Sequence, residues 1–327
     1  MGFSKVILGL LFLPHLGGID REHVAYLIQS KEVHAAIELY TDYQATLGRH
    51  DFEILQRIAL IILEQGVRSS DHEIQLLSFF GAAVGGIESS ISILEQGLLS
   101  PNIETQMAAI QFLARMQDDH SDDLLTKAMA SPFFLARMEA GFYLALRKHP
   151  KATGYIEALI YRVPHDLWVY FPQFFALIGT AEATGILTQL MEDNHPMVRV
   201  EALLCAARYG RDDLLGKIRA HATHLQREEQ EAAASALGIL KDSKSIPQLQ
   251  KLALSSSPNV QLAALHALYK LGETSVIEKI LPIAQKGDLF AIQLLGELPG
   301  SEETLSSLTK NTPIHIRMNA GIALLKR

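Results

Sequence analysis

The sequence predicts an all-α protein, an α-solenoid of about nine stacked helix pairs, because three columns of residues recur on a 31-residue period. The first column reads Leu63, Leu94, Leu125, Ile156, Leu187, Ile218, Leu249, Ile280. The second, four residues later, reads Val67, Leu98, Met129, Ile160, Met191, Ala222, Ala253, Ala284, and both are apolar throughout. The third, fifteen residues after the first, is small: Ser78, Ala109, Ala140, Phe171, Ala202, Ala233, Ala264, with Phe171 the exception. Residues four apart share a helical face. Each repeat therefore reads as a helix A that offers branched side chains and a helix B that answers mainly with alanine, so that the two backbones can approach closely.

Taken in order, residues 1–18 carry Lys5, the apolar run 6–13, then Pro14, Gly17 and Gly18. That outline fits either a secretory signal, without a clear cleavage site, or a helix covering the end of the solenoid. The run is too short to span a bilayer as a helix. A cytoplasmic location is expected, with export the alternative if residues 1–18 are a signal peptide. Residues 19–50 read as two helices, 21–30 and 31–47, that do not follow the 31-residue register and look like an atypical cap. The predicted domains are thus 1–50, a hydrophobic segment with capping helices, and 51–327, the repeat solenoid.

Within each repeat, A–B turns are marked by Ser100-Pro101-Asn102, Ser131-Pro132, Asn194-His195-Pro196, Ser257-Pro258-Asn259 and Asn311-Thr312-Pro313. Proline is tolerated in the first turn of a helix but not in its interior. Gly179, Gly210 and Gly272 stand eight residues past the small column, where a left-handed residue can end helix B. The last two units continue the small column with Ala291 and Ala320 but are irregular. Ile280 and Ala291 are eleven residues apart and Lys286-Gly287-Asp288 replaces the proline signal, so a bend is expected there. No polar capping helix follows Ala320, and the C-terminal end is expected to be covered by self-association or by another chain.

Pro196-Met197-Val198-Arg199-Val200-Glu201-Ala202, followed by Leu203, Leu204, Ala206, Ala207 and Gly210, resembles the HEAT repeats in the shorter form found in bilin lyases and related proteins. Arg137-Met138-Glu139-Ala140 and Arg317-Met318-Asn319-Ala320 repeat the core of that pattern. The resemblance covers roughly residues 51–327. It implies a right-handed solenoid whose B helices line the concave side, and it implies no single activity.

Composition supports a continuous core: 48% of the residues are apolar, 20% are charged and the net charge is −7. The single cysteine, Cys205, excludes an internal disulfide and, beside Ala202 and Ala206, reads as packing. Nucleic-acid binding of the kind some HEAT-like proteins perform draws its affinity from lysine and arginine on phosphates. A net acidic chain without a basic run along one face argues against it.

Three residues before the small column runs a polar ladder, Gln75, Gln106, Arg137, Trp168, Arg199, Gln230, Gln261, with Arg317 rejoining at the end. Multi-donor side chains there can satisfy carbonyls left open at the C-termini of the A helices, or pair with acids such as Asp193. HEAT-like repeats carry a similar ladder, which favours this structural role over a ligand-binding one. The deoxyhypusine hydroxylases, an enzyme branch of the resembling family, hold two irons with His-Glu pairs on B helices. The matching positions here are Met138-Glu139, Val200-Glu201 and Met318-Asn319, so the imidazole ligands are missing. His72-Glu73 lies at a helix start instead. His221 and His224 could give zinc two ligands, but no partner acid is fixed nearby by sequence and no metal is assigned. Gly210 to Ile218 imitates a phosphate loop with five residues between its glycines, and reads as a helix boundary.

The outward line of the B helices, two residues past the small column, reads Phe80, Gln111, Phe142, Gln173, Leu204, Ser235, His266. Its first half is apolar. Between these lie the aromatics of the irregular fourth unit, Trp168, Tyr170, Phe171, Phe174 and Phe175. They read either as filler of an irregular repeat or as part of an apolar groove that marks a partner site. The candidate partner-binding residues are Phe80, Phe142, Trp168, Tyr170, Leu204, Arg208 and Arg211. The expected function is a non-catalytic scaffold or adaptor that binds a protein partner in the concave groove of the solenoid, with no cofactor, no catalytic residue and no membrane span. The alternative is a lyase-like or chaperone-like component handling a bilin or another apolar ligand.

Overall fold

The computed structural model describes residues 20–86, 90–310 and 312–326. The apolar run of residues 1–18 lies outside them. Among the described residues the regular elements are twenty α-helices and short 3₁₀ segments, without a strand, in two compact units, Met1–Ala140 and Gly141–Arg327.

The first unit opens with α1 (Arg21–Gln29) and α2 (Val33–Leu47), close to the expected 21–30 and 31–47. Asp20 caps α1 by accepting from the Glu22 N–H, and α2 stops at Gly48 with φ +70°. Val24, Ile28, Ala36, Tyr40 and Tyr43 bury together with Ile54 and Ile58 of α3 (Phe52–Val67), so this pair packs onto the first repeat. The A–B series then runs α3 and α4 (His72–Gly85), α5 (Ile91–Leu98) and α6 (Ile103–Leu113), α7 (Asp119–Ala128) and α8 (Phe134–Leu146). The division between the units falls within α8. His72 and Glu73 open α4, which Asp71 caps through the Glu73 N–H, as read from the sequence.

The second unit continues with α9 (Ala152–Ile160) and α10 (Pro172–Ile178), α11 (Ala181–Met191) and α12 (Pro196–Arg208), α13 (Leu215–His221) and α14 (Arg227–Ile239). It is completed by α15 (Ile246–Leu252) and α16 (Pro258–Lys270), α17 (Ile277–Gln285) and α18 (Leu289–Leu295), and α19 (Glu302–Leu308) and α20 (Ile314–Leu325). The described A–B pairs number nine, as the columns predict. Successive B helices α10, α12, α14, α16, α18 and α20 each contact the next. Pro196 and Pro258 sit in the first turns of α12 and α16. In the shortened turn before α18, Asp288 replaces proline as the start signal and accepts from the Ala291 N–H at 2.9 Å.

Every member of the small column is buried, Ser78 through Ala320. Between α14 and α16 the backbones come close, and a Cβ on Gly238 would stand 2.7 Å from the Cα of Ala267. Phe171 fits the same column because its repeat is built differently. A 3₁₀ turn, His165–Tyr170, replaces the start of helix B and α10 is short, and Phe171, Phe174 and Phe175 fill the interior. The filler reading thus holds for these three rings, while Tyr170 points outward and is 53% exposed. Among the described residues no helix is long and apolar enough to cross a membrane.

Candidate functional site

The polar ladder closes the A–B turns. The side chains of Gln75, Gln106, Arg137, Arg199 and Gln230 each donate to the carbonyl six residues back, at 2.6, 2.7, 2.6, 2.6 and 2.7 Å respectively. Gln261 reaches the Ala253 carbonyl at 3.2 Å, and the matching carbonyl for Arg317 belongs to Asn311, outside the described residues. Trp168 occupies one rung without performing this role: its indole N–H is buried and has no partner. An indole has one donor on a rigid ring, whereas Gln and Arg carry several on flexible stems.

The loss of that rung frees a local structure. His165 Nε2 lies 2.9 and 3.1 Å from the two carboxylate oxygens of Asp193, which also accepts from the His195 N–H at 2.7 Å. Asp193 therefore serves Arg199 through its backbone carbonyl, while its carboxylate ties the 3₁₀ turn to the next A–B turn. The His165 ring meets Trp168 edge-on at 4.7 Å and His195 at 5.9 Å, and Tyr161 closes on the other side of Trp168 at 5.7 Å. The Nδ1 of His195 is also buried without a partner.

Beside this cluster, between the 3₁₀ turn, α10 and α12, lies an open cleft of about 540 Å³. Its walls include Val169, Tyr170, Met197 and His195, with the carboxylates of Asp166 and Glu201. Among the described residues no lysine or arginine lines it. Glu201 accepts from the Cys205 thiol at 3.2 Å and stands 3.8 Å from the exposed guanidinium of Arg208. Burial, followed by the charge of Glu201, pushes the Cys205 thiol up, which keeps it protonated packing rather than a nucleophile.

The sequence-predicted residues separate accordingly. Tyr170 lines the cleft, and Arg208 approaches it through Glu201. Trp168 stands behind it on His165. Leu204 is half-buried on α12, and Phe142 is half-buried with its ring 5.6 Å from Tyr143. Phe80, in the first unit, is 49% exposed and packs edge-on against Phe112. Arg211 is only 9% exposed and is turned inward. Its guanidinium binds Asp213 at 2.9 and 2.5 Å and also donates to Thr184, while its Nη1 is buried without a partner. Those bonds hold the Asp213 carboxyl below the usual carboxylate range.

Asp166, His195, Met197 and Glu201 were missing from the outward line. They lie five and one residues before the small column, or in the turn ahead of α12, so the exposed face is wider than a single position. Reading Met197 and Glu201, four apart on α12, together with that line would have found those two, whereas Asp166 in the 3₁₀ turn and His195 ahead of α12 follow no helical spacing.

A second polar cluster corrects the reading of His221 and His224. Glu229 supplies the acid that was thought absent: its fully buried carboxylate is 2.8 Å from His221, 3.2 Å from His224 and 2.6 Å from Arg199. Burial pushes this carboxyl up, but hydrogen bonds from Arg199 and His221 outweigh it and the net shift is downward. Both imidazole Nδ1 atoms lie beside the carboxylate, that of His224 also accepting from the Gln226 N–H at 3.2 Å, and Arg199 supplies the ion pair of the cluster. Among the described residues no set of three or more His, Cys, Asp or Glu is placed to hold a metal ion.

Paired helices on one period, with a cleft between consecutive B helices of the second unit, define an all-α helical-repeat protein. Residues 217–290 match the family model for HEAT repeats, in keeping with the resemblance read from the sequence. No curated protein matched the chain. Among solved structures, the complex of CpcE and CpcF of phycocyanin lyase from Nostoc sp. PCC7120 is similar at 19% identity and a TM-score of 0.43, over 63% of this chain and 87% of that one. An engineered protein is similar at 18% identity and a TM-score of 0.35, over 93% and 98%. Human deoxyhypusine hydroxylase in complex with glycerol is similar at 14% identity and a TM-score of 0.34, over 76% and 98%.

Proposed function

We propose that the chain is a non-catalytic scaffold or adaptor that binds a segment of a protein partner against the outward faces of its B helices. The observation that carries this reading is the cleft of the second unit. There Tyr170 and Met197, 53% and 52% exposed, stand on successive B-helix layers around an open volume of about 540 Å³. Exposed apolar side chains gathered at one concavity mark interaction sites, and a cleft of this size lies within the range of about 300–1,000 Å³ typical of ligand pockets. Half-buried Phe142 and Leu204 continue the apolar line in the same unit, and Phe80 offers an exposed ring in the first.

The test is capture of a partner from the native cell by the full chain, followed by titration of that partner against variants with thermal melts alongside. Tyr170→Ala and Phe142→Ala are expected to weaken binding by about 1–2 kcal/mol each, and Ser235→Ala to leave it unchanged. Unaltered binding by both aromatic variants would place the partner elsewhere. If Phe142→Ala unfolds the protein, that ring is core and Tyr170 alone decides. A specific shift in the absorption spectrum of added bilin or haem, abolished by Tyr170→Ala, would favour an apolar ligand over a protein segment.

A further inference from the structure

The cleft is apolar on its walls and anionic at its rim, and its negative charge is poorly balanced. Asp166 is exposed and has no ion pair among the described residues, and Glu201, which accepts from the Cys205 thiol, stands 3.8 Å from the exposed guanidinium of Arg208. Neither a lysine nor an arginine of the described residues lines the volume between them. Acidic character continues onto the next B helix, where Glu228 takes the register position held by Met197 one repeat earlier and by Asp166 two repeats earlier. Glu231, one turn further along α14, is half-buried beside it. Burial and the neighbouring charge of Glu228 push the Glu231 carboxyl up despite a hydrogen bond with Asn259.

Tyr170 completes the chemistry. It is 53% exposed and lines the same cleft as Asp166. An aromatic face within reach of two carboxylates suits a guanidinium, which can stack on the ring while its fork donates to carboxylate oxygens. An ammonium offers only a compact point charge. Resting on the segment-binding reading above, we propose that the occupant of this cleft is a partner segment that inserts an arginine against Tyr170, between Asp166 and Glu201, with an apolar neighbour on Met197 and Val169.

Because Trp168 is the only tryptophan and packs on the His165 ring behind the cleft, its emission serves as a single probe next to the site, with a calorimetric titration alongside. A random peptide library displayed on phage would be panned against the full chain, and the recovered peptides synthesised and titrated by that emission. Recovered sequences should share an arginine next to an apolar residue. Changing that arginine to lysine in the peptide, or combining Asp166→Asn with Glu201→Gln in the protein, should weaken binding by about tenfold, the scale of a lost charged hydrogen bond. Affinity should also fall as salt is raised. Peptides that need Tyr170 but lack arginine, or that bind the double variant as well as wild type, would overturn the proposal and leave segment binding standing. If no peptide is recovered, or those recovered ignore Tyr170→Ala, segment binding at this cleft fails and the arginine proposal fails with it.

Discussion

At the scale of single residues, the ends of the B helices show how a repeat tolerates departures from its own rule. Gly179, Gly210 and Gly272 end their helices with φ of +70°, +70° and +100°, and Lys148 and Lys241 occupy the same 31-residue register with φ of +53°. A side chain in the left-handed region costs about 1–2 kcal/mol relative to the ordinary helical conformation, a penalty glycine escapes. Lys241→Gly should therefore raise stability by about 1 kcal/mol, read as a higher denaturation midpoint at unchanged slope. A lower midpoint would mean that the lysine side chain contributes more than its backbone costs. The glycines were legible in the sequence and the lysines were not, because a left-handed cap is inherited from the geometry of the repeat even where the residue type does not announce it. Glu229 was hidden for a related reason: it is nearest to His221 and His224 only once α14 folds back on α13, with Arg199 arriving from the preceding repeat. Its carboxyl titrates below the ordinary 4.5, so the stability it confers is present above that value and is lost as pH falls through the lowered pKa of the folded state. Glu229→Gln is expected to lower the melting temperature at neutral pH, and the deficit against wild type should shrink as pH falls below about 4.5. A deficit that persists undiminished into acid would show that the carboxylate's charge is not what stabilises the node.

At the scale of the helix, the small column sets the distance between layers. Ala202 is fully buried on α12, which packs against α10, α11 and α14. Replacing it with leucine forces extra carbons into a space sized for a methyl group, and Ala202→Leu should destabilise by about 1–3 kcal/mol in a thermal or denaturant melt. An unchanged melting temperature would require that column to face solvent. The A–B pairs themselves were readable because apolar periodicity, proline and glycine are local signals that agree with one another. The fourth unit was not, since its 3₁₀ turn depends on what Phe171 and Phe175 must fill between neighbouring helices. Outward residues fared unevenly for the same reason. Tyr170 does reach the surface cleft, whereas Arg211 follows α12 by three residues and turns back to Asp213 and Thr184, a direction that no column of residue types encodes.

At the scale of the molecule, a repeat array holds each layer mainly through its neighbours, so stability is distributed rather than uniform. Within the second unit, α14 buries Ala232, Ala233, Ala234, Ala236, Leu237 and Gly238 between α12 and α16, and adds the Glu229 node at its start. The described part of α20 buries Ala320 and Ala323, while Ile314, Met318 and Ile322 leave an apolar stripe in solvent at four-residue spacing. Apolar surface left in water contributes nothing to holding the helix in place, at about 25 cal/mol per Å² forgone. Local opening should therefore cost least at α20 and most at α14. Native-state hydrogen exchange is expected to show that order, with amides of α14 and α16 exchanging slowest and those of α20 fastest. If added partner or self-association covers the stripe, protection of α20 should rise with protein concentration while that of α14 stays fixed. Equal protection across all six B helices in the isolated chain would show instead that the unit opens as one cooperative body and that neighbour contacts do not govern its stability.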